Sequence, residues 1–253
     1  MIQEPTLLFE FAYTPLEILA ATAAMILGSL IQGAVGFGAA LVVAPVLVAI
    51  DPRLVPGAGM VGFLFITMQS WLRERNQVVW AQVSWATVGR IPGSFLGAYI
   101  LILLPLNAMG ALVGSVVILG VLLSVCGWNI PIHRRSLVGA GVLSGVAGTI
   151  SSVGGPPLAL LYQNSTGPHL RATLGAYFTI AILTSLPLLY LVDRFHLSEL
   201  IAGLVLAPGV WLGMYLSKFA IPYLDGGYTR MAVLWVCGAS GLWVMVDALY
   251  NAY

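Results

Sequence analysis

The chain has 253 residues, of which 60% are hydrophobic and 8% are charged, and its formal net charge is +1. A soluble domain carries about 25% charged residues, so this composition predicts an integral membrane protein. The low net charge, with no basic stretch longer than Arg134–Arg135, argues against a nucleic-acid partner. Residues 1–17 contain acids but no Lys or Arg, unlike a signal peptide, and we expect the first span to be retained.

Apolar segments follow one another along the whole chain, and several are shorter than the ~20 residues that a membrane-spanning helix needs. No alternation with a period of two recurs, as a β-barrel would require. We therefore predict an all-helical membrane protein. The segments cover residues 16–34, 37–50, 54–72, 78–104, 106–128, 137–150, 153–163, 170–192, 197–221 and 228–250.

The residues that support catalysis are not grouped in these segments. His133, His169 and His196 all lie in the polar breaks, and the acidic residues lie at segment edges. An intramembrane hydrolase needs a nucleophile with a base, or a metal with His and carboxylate ligands. Cys126 and Cys237 lie inside apolar segments, where a free Cys behaves as a small hydrophobe. We predict no enzyme activity, no metal, no cofactor and no disulfide.

The first half and the second half of the chain contain similar motifs in the same order. The matching pairs are GAVGFGAALVVAP at 33–45 with GVAGTISSVGGPP at 145–157, DPRL at 51–54 with GPHL at 167–170, and PGSFLG at 92–97 with PGVWLG at 208–213. The first pair has an offset of 112, which places Gly36 on Gly148, and the other two pairs have an offset of 116. We predict two fused repeats of about 115 residues, at 1–128 and 129–253, within one membrane domain.

The glycine-rich stretches 28–45 and 145–157 are short apolar segments interrupted by Gly and Pro at matching positions, which is typical of discontinuous transporter helices that hold substrate near the bilayer midplane. Freed N–H groups and the half-helix dipole at such breaks favour an anion. The alternative is close helix packing through small residues such as Gly28, Gly33 and Gly141. The predicted substrate-binding residues are Gln32, Gly33, Gly36, Phe37, Gly38, Arg90, Thr149, Ser151, Ser152, Gly154 and Gly155. The predicted helix-breaking residues are Pro45, Pro92, Pro156, Pro157 and Pro208.

Arg90 lies about ten residues into an apolar segment, where a charge is costly and usually faces a cavity or a partner. Its position in the second repeat is taken by Leu206, so symmetry does not explain it. The alternative is a side chain that extends to the membrane interface, which is our interpretation of Lys218 and Asp247. We predict that Arg90 attracts the anion toward the two glycine-rich breaks.

The stretches GSLIQGAVGFGAALVVAPVL and GVLSGVAGTISSVGGPPLALL, with the paired PGSFLG and PGVWLG, resemble the sulfite exporter TauE/SafE family of membrane anion transporters over roughly residues 16–250. The resemblance implies a small sulfur-containing or carboxylate anion as substrate, such as sulfite or sulfoacetate. The two repeats differ at one point of the motif, because the second has Thr149–Ile150 where the first has Phe37–Gly38. We therefore expect the two repeats to contribute unequally to the substrate site. We expect a bacterial inner membrane and transport by alternating access. An anion channel, or a non-transporting assembly protein, are the alternatives.

The distribution of basic residues predicts topology, because loops rich in Lys and Arg stay in the cytoplasm. Arg75 and its neighbour Arg73, together with Arg134–Arg135, are expected inside, and 193–199 outside. This arrangement makes the repeats inverted, whereas a single crossing by 137–163 would make them parallel.

The apolar segments contain no deep Asp or Glu, so the sequence lacks the usual carboxylate of a proton relay. We therefore expect weak proton coupling and export of the anion driven by the membrane potential.

Overall fold

A computed structural model describes residues 13–125, 128 and 130–224, and within these residues every regular element is helical. Cys126, Cys237, Asp247 and the predicted segment 228–250 lie outside the described residues. The helices are α1 (Pro15–Val35), α2 (Ala39–Ile50), α3 (Gly57–Arg73), α4 (Trp80–Leu103), α5 (Met109–Val125), α6 (Arg134–Ser151), α7 (Gly155–Leu161), α8 (Gly167–Leu191), α9 (Leu197–Val205) and α10 (Ala207–Leu224). Short 3₁₀ turns occupy Pro52–Leu54, Arg75–Gln77 and Leu106–Ala108.

The predicted helical segments up to residue 192 each correspond to one helix. The apolar segment 197–221 contains two helices, α9 and α10, which meet at Leu206 with a bend of 41°, two residues before the predicted helix-breaking Pro208. Within the described part, α1, α4 and α8 are each long and apolar enough to cross a membrane, and the bent pair would make a fourth span. The structure thus agrees with an all-helical membrane protein.

The five prolines expected to break helices fall into two groups. Pro45 and Pro92 lie inside α2 and α4, which continue through them, so the expectation of a break is wrong at these two positions. Proline removes one backbone donor, and packing against neighbouring membrane helices allows a helix to continue despite that loss. The other three lie in first turns, where no intrahelical N–H bond is lost. These are Pro156 and Pro157 of α7 and Pro208 of α10.

Helices α4 and α6 pack backbone against backbone through small residues. A methyl group added at Gly89 or Gly93 of α4 would overlap the carbonyl of Val138 or Val142 in α6. Small residues allow this close approach, on which association of membrane helices depends. Because the contacts advance together along both helices, α4 and α6 run parallel, and their first residues lie at the same end of the bundle, here called the Trp80 end.

The opposite end of the bundle, here called the Leu103 end, holds the loop before α9. The Arg194 guanidinium donates to the carbonyl of Leu101 at 2.8 Å, at the end of α4. Phe195 contacts Gly57, the first residue of α3. The start of α1 joins the same end, because the Tyr13 hydroxyl donates to Asp51 at 3.1 Å, just before α3.

Helices α1 and α10 repeat the parallel arrangement of α4 and α6. Gly209 and Gly213 of α10 pack against Thr22 and Ile26 of α1 in the same order along both helices. Both helices therefore start at the Leu103 end, whereas α6 starts at the Trp80 end.

Candidate functional site

The first helix break lies between α1 and α2. Gly36 (φ 100°) and Gly38 (φ 109°) both adopt the left-handed conformation, which glycine tolerates and other residues rarely do. A methyl group at Gly36 would also overlap the Leu170 side chain. The chain therefore leaves α1, turns through Phe37 and returns antiparallel as α2.

The second break lies between α6 and α7, where Ser152 has φ 64° and Gly154 precedes the first residue of α7. Ser152 ends α6 as Gly36 ends α1, because each donates its backbone N–H to the carbonyl four residues earlier. These two positions are 116 apart, the same offset as the other repeated motifs. By helix ends, Gly36 therefore matches Ser152, whereas the sequence alignment placed it on Gly148, which lies within α6.

The two breaks face a common cavity of about 50 Å³, whose lining also includes residues of α3, α4 and α8. Among the residues predicted to bind substrate, the ones in this lining are Gln32, Phe37, Gly38, Arg90, Ser152, Gly154 and Gly155. Pro156 lies in the lining as well. A cavity needs only about 10–15 Å³ of such volume to hold a water molecule, so this one has room for more than a single water. The volume is suited to a small ion.

Arg90 is the cationic side chain of this cavity, and it is only 3% exposed, so it does not extend to a membrane interface. Its guanidinium donates to the carbonyl and hydroxyl oxygens of Ser144, at 3.0 and 3.2 Å, and to the Ser185 hydroxyl at 3.1 Å. The Nε–H has no partner among the described residues. The Tyr177 ring centroid lies 5.8 Å from the guanidinium carbon. The charge is thus held by neutral groups.

Close approach of backbone to this guanidinium depends on two glycines. A methyl group at Gly148 would lie 3.0 and 3.1 Å from its two terminal nitrogens, and one at Gly154 would lie 3.3 Å from the nearer of them. These glycines leave room for the charged group beside the second break. Arg90 and the second break therefore lie side by side at the cavity.

The hydroxyl groups predicted to donate to an anion form hydrogen bonds within the protein. Ser152 donates to the Pro56 carbonyl at 2.9 Å, and Ser151 donates to the Ala147 carbonyl at 2.8 Å. Thr149 pairs with Ser185 at 3.2 Å. Gln32 differs, because its amide oxygen accepts from the Ala39 N–H at 3.3 Å, which leaves its NH₂ group for another acceptor. Arg90 and Gln32 are thus the side-chain donors of the cavity.

Four of the predicted binding residues lie outside the cavity lining, and these are Gly33, Gly36, Thr149 and Ser151. A methyl group at Gly33 would contact Ser217 and Met214 of α10, so this glycine has a packing role. Gly28 and Gly141 likewise approach α2 and α4 closely. The small-residue alternative therefore describes part of the glycine pattern, while Gly38, Gly154 and Gly155 line the cavity.

A cluster of charged residues lies behind the first break, at the end of α1. Arg171 is 3% exposed and forms a bidentate ion pair with Glu74, with bonds of 2.8–3.1 Å. It also donates to the Ala34 carbonyl at 3.0 Å, and Arg73 donates to the Gly33 carbonyl. Cations at the last carbonyls of a helix complement its dipole. This cluster fixes the end of α1, and none of its side chains lines the cavity.

Sequence reasoning missed the contributions of α3 and α8. Thr67 and Phe63 of α3 and Phe178 of α8 line the cavity, and Ser185 of α8 holds Arg90. The available signal was the presence of small polar residues such as Ser185 within apolar segments, which in membranes mark interhelical hydrogen bonds. The repeat did not reveal these residues, because it directs attention to the breaks.

The chain matches the model of a known protein family. The family model described as "Sulfite exporter TauE/SafE" matches residues 20–244. Neither a search of curated proteins nor a search of solved structures returns a match.

Proposed function

Because the chain belongs to the sulfite exporter TauE/SafE family, whose members are membrane transporters rather than enzymes, we propose that it carries a small anion by alternating access and binds it in the cavity between the two helix breaks. Arg90 attracts the anion, and Gln32 with the backbone around Gly38, Gly154 and Gly155 completes the site.

The observation that carries this proposal is the burial of Arg90 without a carboxylate. Among the described residues, the salt bridges within 4.0 Å join Arg53, Arg73, Arg171 and His196 to acids, and Arg90 takes part in none of them. A buried cation is normally paired, because an uncompensated charge in a medium of low polarity is costly. An anionic substrate supplies the missing charge, and a guanidinium binds an oxyanion in two-pronged geometry.

Alternating access requires two halves that move relative to each other, and an inverted pair of repeats over 1–128 and 129–253 provides them. The helix directions support this arrangement. Helix α1 starts at the Leu103 end, and its counterpart α6 starts at the Trp80 end. The loops at 74–79 and 193–199 lie at opposite ends of α4, in agreement with the expected cytoplasmic and external faces. On this proposal the two breaks meet near the bilayer midplane.

The direction of transport follows from the charge of the substrate. An inside-negative potential contributes about 2.3 kcal/mol per charge per 100 mV, which drives a monovalent anion outward. The cavity lining contains no Asp or Glu that would relay a proton. We therefore propose potential-driven export from the cytoplasm across a bacterial inner membrane.

Counterflow in proteoliposomes tests this function. A panel of sulfite, sulfonates, sulfate and short carboxylates should include at least one anion whose labelled form accumulates transiently against unlabelled anion, in a saturable manner. Saturable counterflow is expected of a carrier, whereas flux without it would indicate a channel. No transport of any solute would indicate a non-transporting assembly protein.

Energetics are tested in oriented vesicles. Collapse of the membrane potential should slow efflux of the anion, and collapse of a proton gradient alone should have little effect. The opposite pattern would contradict potential-driven export.

A further inference from the structure

The charge available in the cavity is small. Of the eighteen residues in its lining, Arg90 is the one with an ionisable side chain. The guanidinium therefore offers one positive charge to whatever enters. The other side-chain donor, the NH₂ group of Gln32, is neutral.

The charged cluster at the end of α1 places no cation in the cavity lining. Arg171 is paired with Glu74 at 2.8 Å, and Arg73 also lies 3.9 Å from Glu74. Both arginines are bonded to carbonyls at the end of α1, outside the cavity lining. Within the described part of the chain, a second negative charge on a bound anion would therefore have no cation in the lining to pair with.

Much of the remaining wall is apolar. The rings of Phe37, Phe63 and Phe178 and the side chain of Met60 line the cavity together with aliphatic residues. The hydroxyls of Thr67 and Ser152 donate to the carbonyls of Leu64 and Pro56, at 3.1 and 2.9 Å, and are not available as donors. An anionic oxygen turned toward this wall would lose its hydration without gaining a partner, whereas a methyl group would be favourable there.

We infer that the cavity selects singly charged oxyanions with a small apolar end, of which short alkyl sulfonates are the best match, and that it rejects dianions of the same size. This inference rests on the proposed function, and it narrows the substrate class of the same site. Sulfite would enter in its singly protonated form. Sulfoacetate, which carries two charges and is larger, would be a poor substrate.

Methanesulfonate and sulfate form a matched pair for the test, because each has four non-hydrogen atoms around a tetrahedral sulfur, and methanesulfonate carries one negative charge whereas sulfate carries two. Counterflow of each is measured in proteoliposomes with the full chain, with the membrane potential clamped at zero. We expect saturable counterflow of methanesulfonate, and at least about tenfold lower initial rates for sulfate at equal concentration. Ethanesulfonate and sulfoacetate give a second pair, in which the added carboxylate should abolish transport.

The pH dependence of sulfite transport is a separate measurement. The ratio of singly protonated to doubly charged sulfite changes tenfold per pH unit. At subsaturating sulfite, the initial rate should fall by about fivefold or more between about pH 6 and about pH 8, while the methanesulfonate rate stays constant. The constant control excludes titration of the protein as the cause.

The outcomes separate the two proposals. Transport of sulfate as fast as methanesulfonate, or a sulfite rate that does not fall relative to methanesulfonate, would overturn charge selection but leave anion transport intact. Absence of counterflow for every anion would overturn the proposed function, and charge selection with it.

Discussion

One added methyl group at Gly141 should separate α4 from α6 and destabilise the protein. A Cβ there would overlap the Ala86 carbonyl oxygen. It would also lie 3.0 Å from the Ala86 carbonyl carbon and 3.1 Å from the backbone nitrogen of Arg90. These are backbone atoms, which cannot rotate away as a flexible side chain would. Overpacking of this kind costs about 1–3 kcal/mol. We therefore expect Gly141→Ala to lower the free energy of unfolding by that amount.

Gly139→Ala is the matched control, because it adds the same methyl group two positions earlier in α6, where nothing lies within 4 Å. Alanine in a helix interior is favoured over glycine by up to about 1 kcal/mol, so this variant should be neutral or stabilised. The two variants should differ by about 1–4 kcal/mol, or about 2–16 °C in Tm for a chain of this size. Thermal unfolding of both proteins in lipid nanodiscs measures the difference. If Gly141→Ala melts together with Gly139→Ala, the close contact of α4 with α6 is refuted.

Three further predictions concern topology, the first break and the charged cluster. In a cysteine-free background, an impermeant thiol reagent should label Arg75→Cys and Asp193→Cys from opposite faces of the membrane, and labelling from one face would contradict inverted repeats. Gly36→Ala should lower the free energy of unfolding by about 1–2 kcal/mol through its positive φ alone, as measured by thermal unfolding; a wild-type Tm would argue against the left-handed turn. Glu74→Gln should cost about 3–5 kcal/mol in the same assay, because Arg171 would stay buried without its counter-charge, and a loss below about 1 kcal/mol would indicate a solvated pair.

The helical architecture could be predicted from sequence because the apolar segments and their polar breaks are locally encoded. A break near Leu206 was expected at Pro208, but a break was equally expected at Pro92, where α4 is continuous. Pro92 and Pro208 occupy matching positions, yet only Pro208 follows a bend. Tertiary packing decides whether the helix bends near such a proline, and the local sequence motif contains no information about that packing.

The candidate site was predictable in part. Gly38 and Gly154 stand out in the sequence because they lie in glycine-rich stretches of apolar segments. Arg90 stands out because it is a charged residue within an apolar segment. The hydroxyl of Ser152 was expected to donate to an anion, but in the structure it donates to the Pro56 carbonyl. Such an assignment depends on a residue 96 positions away in sequence, so no local pattern could reveal it.

The central claim is that Arg90 binds the transported anion, and the apparent affinity of Arg90 variants tests it most directly. Half-saturation of counterflow is measured for wild type, Arg90→Gln and Arg90→Lys, with Leu206→Gln as the control at the corresponding position of the second repeat and with folding checked by thermal unfolding. Loss of one charge-assisted contact is worth about 1.5–3 kcal/mol, so Arg90→Gln should weaken apparent affinity by roughly one to two orders of magnitude. Arg90→Lys should retain part of it, and Leu206→Gln should have less effect. An unchanged affinity in folded Arg90→Gln would contradict the claim.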